Sequence, residues 1–304
     1  MIKKWGLLSL FAMIVSGRGI MIKILHLTGV GLPEILFFGG FISVVFTLVF
    51  QIITKQAIHS LHILKLQTIR FVVSFIFWPL AFYSFIKLDV SVVNTISKLT
   101  IPIFILLGTY LGVIYSKKEK NYALISIIFL LVFFVIQYSQ KPNFVGYAIF
   151  ILSIVVVMIE TFLLRNACKL YSVFDVVFIP SIACCFSGLA LLQFNQIDYS
   201  IILNLGVESY GLIFIFSIFF FLYYVSSIYK YDIFPLGVSE YPLLLAVYPV
   251  LLWEYFFMEH KPDFISLSLI ISITLLLARC VKTKHEATQC IETIQEIKFV
   301  GAQN

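Results

Sequence analysis

The hydrophobic positions of this 304-residue chain form ten long apolar runs, separated by short polar connectors. A helix needs about 20 mainly apolar residues to cross the hydrocarbon core, which is about 30 Å thick, because it rises about 1.5 Å per residue. The runs therefore predict ten spanning helices and an all-α integral membrane protein. The predicted spans are Trp5 to Leu25, Pro33 to Ile53, Ile69 to Ile86, Val90 to Ile114, Tyr122 to Ser139, Phe144 to Leu164, Val173 to Leu192, Tyr210 to Tyr229, Pro235 to Phe257 and Phe264 to Val281.

The composition supports a membrane protein. Hydrophobic residues make up 61% of the chain and charged residues only 12%, whereas a soluble domain carries about 25% charged residues. The connectors hold most of the charges and leave little chain for a soluble domain. The function must therefore depend on the few polar groups inside the predicted spans.

The lysine and arginine residues predict the orientation, because cytoplasmic loops carry the excess of positive charge. With the amino terminus inside, fourteen of these residues fall in inner segments and four in outer segments. The inner set is Lys3, Lys4, Lys55, Lys65, Arg70, Lys117, Lys118, Lys120, Arg165, Lys169, Lys230, Arg279, Lys282 and Lys284, and the outer set is Lys23, Lys87, Lys141 and Lys261. Both termini are therefore expected in the cytoplasm. The net charge of +6 is explained by anionic membrane lipid, with no nucleic-acid partner.

Two similar segments indicate an internal duplication. Lys87 to Val90 precedes the fourth predicted span and Lys230 to Ile233 precedes the ninth, at an offset of 143 residues. Each of those spans then carries a proline, Pro102 or Pro249. Because each half holds an odd number of helices, the second half must be inverted in the membrane, as in many secondary transporters. The predicted units are a five-helix repeat at 1–140, a second at 141–283 and a polar cytoplasmic tail at 284–304.

The second half resembles the EamA family of the drug/metabolite transporter superfamily. In the ninth helix of that family a proline and a valine, here Pro249 and Val250, precede an apolar run and a glutamate at the helix exit, here Glu259. The counterpart in the first half runs from Pro102 to Glu119, and the similarity covers about residues 1–281. The resemblance implies a transporter of amino acids or related zwitterions in a bacterial cytoplasmic membrane. Exchange of a larger metabolite, such as S-adenosylmethionine or a nucleotide, is the alternative.

Four ionisable residues lie well inside the predicted spans, namely Arg18, Lys98, Glu160 and Glu240. A charge at the bilayer centre costs about 2.5 to 3.5 kcal/mol on the insertion scale, so each of these residues is a functional hypothesis. Two positive and two negative charges also allow mutual pairing.

Lys98 is the strongest candidate among these four residues. Ser91, Asn94 and Lys98 follow one another at spacings of three and four residues, so they share one face of the fourth helix. Glu240, which precedes Tyr241, holds the equivalent place in the ninth helix. We expect Lys98 and Glu240 to face each other across a central cavity, either as a pair or as two contacts for a zwitterionic substrate. The alternative is a buried ion pair that only fixes helix packing.

A second group of candidates surrounds Arg18. Glu160 occupies a comparable depth in the sixth span, so the two charges are candidates for a gate or a second substrate contact. Alternatively, Arg18 extends toward the inner headgroups. Trp78, Tyr83 and Tyr223 lie in the third and eighth spans, which are repeat partners. They are candidates for the cavity wall, although packing alone also explains each of them.

The sequence shows neither reaction chemistry nor a cofactor site. An intramembrane enzyme acting on lipid would need a clustered acid, base and nucleophile, and a receptor would need an output domain. No Walker loop is present, and the His59 and His62 pair lacks a third metal ligand. Gly108 and Gly112 form a GxxxG motif, which serves either internal packing or a homodimer face. The sequence therefore predicts a secondary transporter of a small polar metabolite, and it leaves substrate, direction and ion coupling open.

Overall fold

The computed structural model describes residues 2–54, 64–107, 115–168, 170–195, 205–233, 244–258 and 263–279. All regular secondary structure in these ranges is helical. The helices are α1 (Ile2–Leu27), α2 (Leu32–Thr54), α3 (Leu64–Lys87), α4 (Val90–Ile96), α5 (Thr100–Leu107), α6 (Lys117–Gln140), α7 (Phe144–Cys168), α8 (Val173–Phe194), α9 (Val207–Ile233), α10 (Val247–Phe257) and α11 (Phe264–Arg279).

Eight segments of the described chain are long and apolar enough to cross a membrane, namely α1, α2, α3, α4 with α5, α6, α7, α8 and α9. Large apolar side chains such as Ile52, Ile128 and Val135 are exposed on the outside of the bundle. These features are typical of a multi-pass membrane protein, in which exposed apolar faces contact lipid. The prediction of an all-α protein is confirmed for the described residues, and its long apolar helices are compatible with a multi-pass membrane protein. The count of ten spans and the inverted repeats stay predictions, since 235–243 of the ninth span lies outside the described residues.

The fourth predicted span is discontinuous. A 3₁₀ turn at Ser97–Leu99 separates α4 from α5. Pro102 explains this break, because proline has no N–H for the carbonyl four residues earlier, that of Lys98, and its ring crowds that carbonyl. The ninth predicted span shows a similar interruption, since a turn at Ala246 comes just before α10 and its Pro249. Both interruptions lie next to the prolines that the sequence pairs.

The most extensive helix contact in the described part of the chain is between α2 and α8. Glycines allow the two backbones to touch: a Cβ at Gly40 would lie 2.7 Å from the Ser181 carbonyl oxygen. A Cβ at Gly188 would lie 2.8 Å from the Pro33 carbonyl oxygen. At the same contact Ser43 and Ser181 share a hydrogen bond of 2.8 Å between their hydroxyls. Small residues therefore bring these helices together, as expected where apolar burial gives little driving force in lipid.

Other extensive contacts join the two halves of the chain. The α3 helix packs on α7 and α8, the α9 helix packs on α1 and α2, and α4 contacts α10. Aromatic side chains fill the centre between α3 and α9, where Trp78 lies with its ring centroid 4.7 Å from that of Phe220 and 5.7 Å from that of Tyr224. All three side chains are almost fully buried. The rings thus form a packed aromatic layer between α3 and α9.

Several charged residues near the helix ends have local structural roles. The Lys23 ammonium donates to the carbonyls of Ile86 at 2.9 Å and Leu88 at 3.3 Å, which lie where α3 ends and favour a cation. Glu119, which the sequence pairs with Glu259 of the EamA-like segment, completes a capping box with Ser116 at the start of α6. Glu259 itself lies outside the described residues.

Candidate functional site

A cavity lies between helices from both halves of the chain. Residues of α1, α3, α4 and α5 line one side, and residues of α7 and α9 line the other. Its volume is about 120 Å³, which is smaller than the roughly 300 to 1,000 Å³ that are usual for small-molecule sites. The structure therefore shows a narrow cavity between the helices.

The lining combines aromatic and aliphatic side chains with a band of polar groups. Among the described lining residues the polar members are Arg18, Ser84, Asn94, Ser97, Thr100, Ser153, Thr161, Tyr223, Ser226 and Ser227. Most of the hydroxyls donate to their own helix: Ser153 donates to the Phe150 carbonyl at 2.7 Å, and Ser226 donates to the Tyr223 carbonyl at 2.9 Å. Because these protons are used, the hydroxyl oxygens present lone pairs as acceptors.

Arg18 is the one charged side chain among the described lining residues. Only 7% of its surface is exposed, and its guanidinium carbon lies 4.0 Å from the Tyr223 ring centroid and 5.3 Å from that of Trp78. The Nε and Nη1 atoms have no hydrogen-bond partner among the described residues. Arg18 therefore sits against aromatic rings inside the bundle and does not extend toward the headgroups. Cation–π contact stabilises its charge but leaves its N–H groups unsatisfied.

The glycines on either side of Arg18 make room for this arrangement. A Cβ at Gly17 would lie 2.5 Å from the Phe219 ring, and one at Gly19 would lie 2.8 Å from the Phe85 ring. Phe219 belongs to α9 and Phe85 to α3, so α1 sits tightly between these helices. This packing fixes the backbone of α1 at the arginine.

The structure places the other predicted site residues at several different points. Asn94 and Tyr223 line the cavity with Arg18, and Trp78 packs behind them. Tyr83 lies elsewhere, with its ring centroid 5.6 Å from the Lys87 ammonium near the end of α3. Glu240 and Tyr241 lie outside the described residues, as does the Gly108 to Gly112 motif of the suggested homodimer face, and these stay predictions.

Lys98 faces away from the cavity toward α11. Its side chain is 1% exposed, and its ammonium donates to the Thr274 hydroxyl at 3.1 Å. The predicted stripe of Ser91, Asn94 and Lys98 is therefore divided. A 3₁₀ turn has about 3.0 residues per turn instead of 3.6, so Lys98 rotates off the face that holds Asn94. The Ser91 N–H instead donates to the Glu254 carboxylate at 3.0 Å, which places an acidic group at the start of α4.

Glu160 pairs with Arg70, not with Arg18. Arg70 Nη2 lies 3.8 Å from Glu160 Oε1, and both side chains are almost fully buried. The same Nη2 atom donates to the Val176 carbonyl at 3.0 Å, and Nη1 donates to the Gln67 side chain at 3.2 Å. The pair therefore joins α3, α7 and α8 beside the cavity, where Thr161 is a lining residue.

Sequence reasoning missed Arg70, Thr274 and Glu254 as partners of the intramembrane groups. The charge pattern assigns Arg70 to an inner segment, although Arg70 lies one position inside the third predicted span, which begins at Ile69. That position was a usable signal, because a charge inside a span is expensive. Thr274 gave no signal, since a single threonine in an apolar run fits ordinary packing.

No protein-family model matches the sequence, and no curated protein matches it significantly. The similarity to the EamA family therefore stays a resemblance of residues and architecture.

Proposed function

We propose that this protein is a secondary transporter, which moves a small polar metabolite across the membrane by alternating access. The observation that carries the proposal is the cavity between the two halves, into which a buried and unpaired arginine projects. Amino acids and related zwitterions are the substrate class implied by the family resemblance. The alternative is exchange of a larger metabolite such as S-adenosylmethionine or a nucleotide.

The pattern of helix contacts supports two inverted repeats at 1–140 and 141–283. In these repeats α1, α2 and α3 correspond to α7, α8 and α9, respectively. The α3–α7 contact then corresponds to the α9–α1 contact, and the α3–α8 contact corresponds to the α9–α2 contact. Both members of each pair occur. The α2–α8 contact, with the bonded Ser43 and Ser181, would then lie on the axis that relates the halves. A substrate site at the interface of such repeats is common in secondary transporters.

The interrupted helices support the same proposal. Transporter sites are typically formed by discontinuous helices, whose breaks expose backbone groups at membrane depth. Here α4 and α5 meet at the 3₁₀ turn, and Ser97 of that turn and Thr100 after it both line the cavity. Because lysine and arginine are in excess in the inner segments, we expect both termini on the cytoplasmic side of a bacterial inner membrane.

The test is counterflow in proteoliposomes. Vesicles holding the purified protein are preloaded with amino acids, nucleotides or S-adenosylmethionine, and uptake of labelled tracer is measured. We expect accumulation for one compound class. We also expect loss of accumulation in Lys98→Ala, because Lys98 holds the interrupted fourth span against α11, but not in Lys65→Ala, which alters an exposed cation. Failure of folded protein to accumulate any compound contradicts the proposal.

A further inference from the structure

We infer that Arg18 binds the anionic group of the transported compound, so that compounds taken into this cavity carry a carboxylate or phosphoryl group. The inference rests on the proposed function for its biological meaning. It concerns binding, however, and binding can be measured without transport.

The first argument is the unsatisfied arginine itself. Nε and Nη1 of Arg18 lack hydrogen-bond partners, although 93% of the residue is buried. A buried charge is strongly disfavoured unless it is paired and hydrogen-bonded. An oxyanion in the adjacent cavity provides both, because carboxylate and phosphoryl oxygens form short, strong bonds with guanidinium N–H groups.

The second argument is the way the guanidinium is held. Tyr223 and Trp78 contact it through their rings, at 4.0 Å and 5.3 Å from the guanidinium carbon. Ring contacts of this kind take the cation without using its N–H groups. Tight packing at Gly17 and Gly19 also holds the backbone of α1. Arg18 is therefore preorganised, and its donors stay free for a ligand.

The third argument is that no aspartate or glutamate occurs among the described residues that line the cavity. The Glu160 carboxylate is paired with Arg70. Glu254 accepts a hydrogen bond from the Ser91 N–H at the start of α4. Within the part of the chain that the structure describes, Arg18 therefore has no carboxylate partner, and an anionic group of the bound compound would supply the missing negative charge.

The rest of the lining suggests how the other end of the compound is held. The hydroxyls of Ser153, Ser226 and Ser227 donate to backbone carbonyls, so their oxygens face the cavity as acceptors. Asn94 donates to the Val90 carbonyl at 2.9 Å, which leaves its amide oxygen for a ligand. An ammonium or hydroxyl group on the compound would satisfy these acceptors.

The test compares matched compounds that differ in the anionic group. Purified protein in detergent is titrated with amino acids and their amides, with lactate and propane-1,2-diol, and with glycerol phosphate and glycerol. Binding is measured by calorimetry and thermal shift. We expect the acids or the phosphate to bind, and the neutral partners to bind roughly ten- to a hundred-fold more weakly, the range expected for lost hydrogen bonds to a charged group. The amino acids test the carboxylate and glycerol phosphate tests the phosphoryl group.

Variants locate the effect at Arg18. Arg18→Gln should lose the preference for the charged compound, whereas Arg18→Lys should keep part of it. Lys65→Gln is the matched control, because it removes an exposed positive charge outside the cavity. If Arg18→Gln does not fold, Tyr223→Leu replaces it; this change removes one ring contact and should weaken anion binding several-fold.

Three results would overturn the inference: equal binding of acids and amides, unchanged anion binding in Arg18→Gln, or no anion binding by folded wild-type protein. Counterflow separates this inference from the transporter proposal. Transport of neutral compounds with no effect of Arg18→Gln contradicts only the role of Arg18. Arg18-dependent anion binding without counterflow contradicts only the transporter.

Discussion

Arg70 donates a hydrogen bond of 3.0 Å to the carbonyl of Val176, which lacks the usual helical N–H donor four residues later. The helical donor to Val176 would be the N–H of residue 180, which is a proline inside α8. In a membrane a carbonyl left without a donor is costly. Arg70 thus satisfies the free carbonyl of α8 and lies 3.8 Å from Glu160 of α7.

Removing Arg70 should therefore destabilise the protein strongly. Arg70→Met leaves both the Glu160 carboxylate and the Val176 carbonyl buried without a partner, and we expect a loss of about 3 to 5 kcal/mol. The double variant Arg70→Met with Glu160→Met should lose less, because no charge stays unpaired. Chemical unfolding in detergent measures the three free energies.

The matched control for this prediction is the Lys141 and Asp89 pair, which is short at 2.7 Å but partly exposed. Lys141→Ala should cost at most about 1 kcal/mol, as exposed ion pairs do. Equal losses for Arg70→Met and Lys141→Ala would contradict a structural role of the buried pair.

Close packing of α2 on α8 should depend on Gly40 and Gly188. An alanine methyl group at either position would overlap backbone atoms of the facing helix, which cannot move as a side chain can. We expect Gly40→Ala and Gly188→Ala to lower the free energy of unfolding by about 1 to 3 kcal/mol or more. Gly211→Ala is the control, because nothing lies within 4 Å of its Cβ position. That change should stabilise α9 by up to about 1 kcal/mol, and a loss equal to that of Gly40→Ala would refute the packing argument.

The sequence predicted the helices well because each apolar run is a local signal. Val90 to Ile114 is the informative exception, since hydrophobicity alone marks one continuous span and Pro102 imposes a break. That break also explains why Lys98 does not share a helix face with Asn94. Helical spacing predicts that the two side chains lie on one face, but the 3₁₀ turn directs Lys98 toward Thr274. Charge partners such as Arg70 and Glu160 could not be derived, because their contact depends on how distant helices pack.

The Lys98 and Thr274 contact predicts a measurable coupling between α11 and the interrupted fourth span. Thr274→Val removes the hydroxyl that accepts from the ammonium at 3.1 Å, and we expect a loss of about 1 to 3 kcal/mol, the usual penalty for a buried group left unsatisfied. In a Lys98→Met background the same change should have little effect. A double-mutant cycle of unfolding free energies gives the coupling. Additive effects of the two substitutions would show that the contact does not stabilise the fold.

Asp263 predicts a pH dependence at the start of α11. It lies just before this helix and accepts hydrogen bonds from the Gln140 side chain at 2.8 Å and from the Ser266 backbone N–H at 2.6 Å. The Gln140 hydrogen bond, and then that of Ser266, lower the pKa of the Asp263 carboxyl below its ordinary value of 3.8. Since the folded state favours the ionised form, its contribution to stability is present above the unfolded pKa and is lost as the pH falls through the lowered folded pKa.

Asp263→Asn should accordingly be less stable than wild type at pH 7, and this difference should shrink as the pH falls below about 4. The effect should be small, because the side chain is only half-buried and contact with water weakens such interactions. Thermal unfolding of both proteins from pH 3 to pH 7 measures the difference. Ser268→Ala is the control, because the Ser268 hydroxyl donates to the Phe264 carbonyl of its own helix and carries no titratable group. A difference between wild type and Asp263→Asn that stays constant over this range would show that ionisation of Asp263 does not stabilise the start of α11.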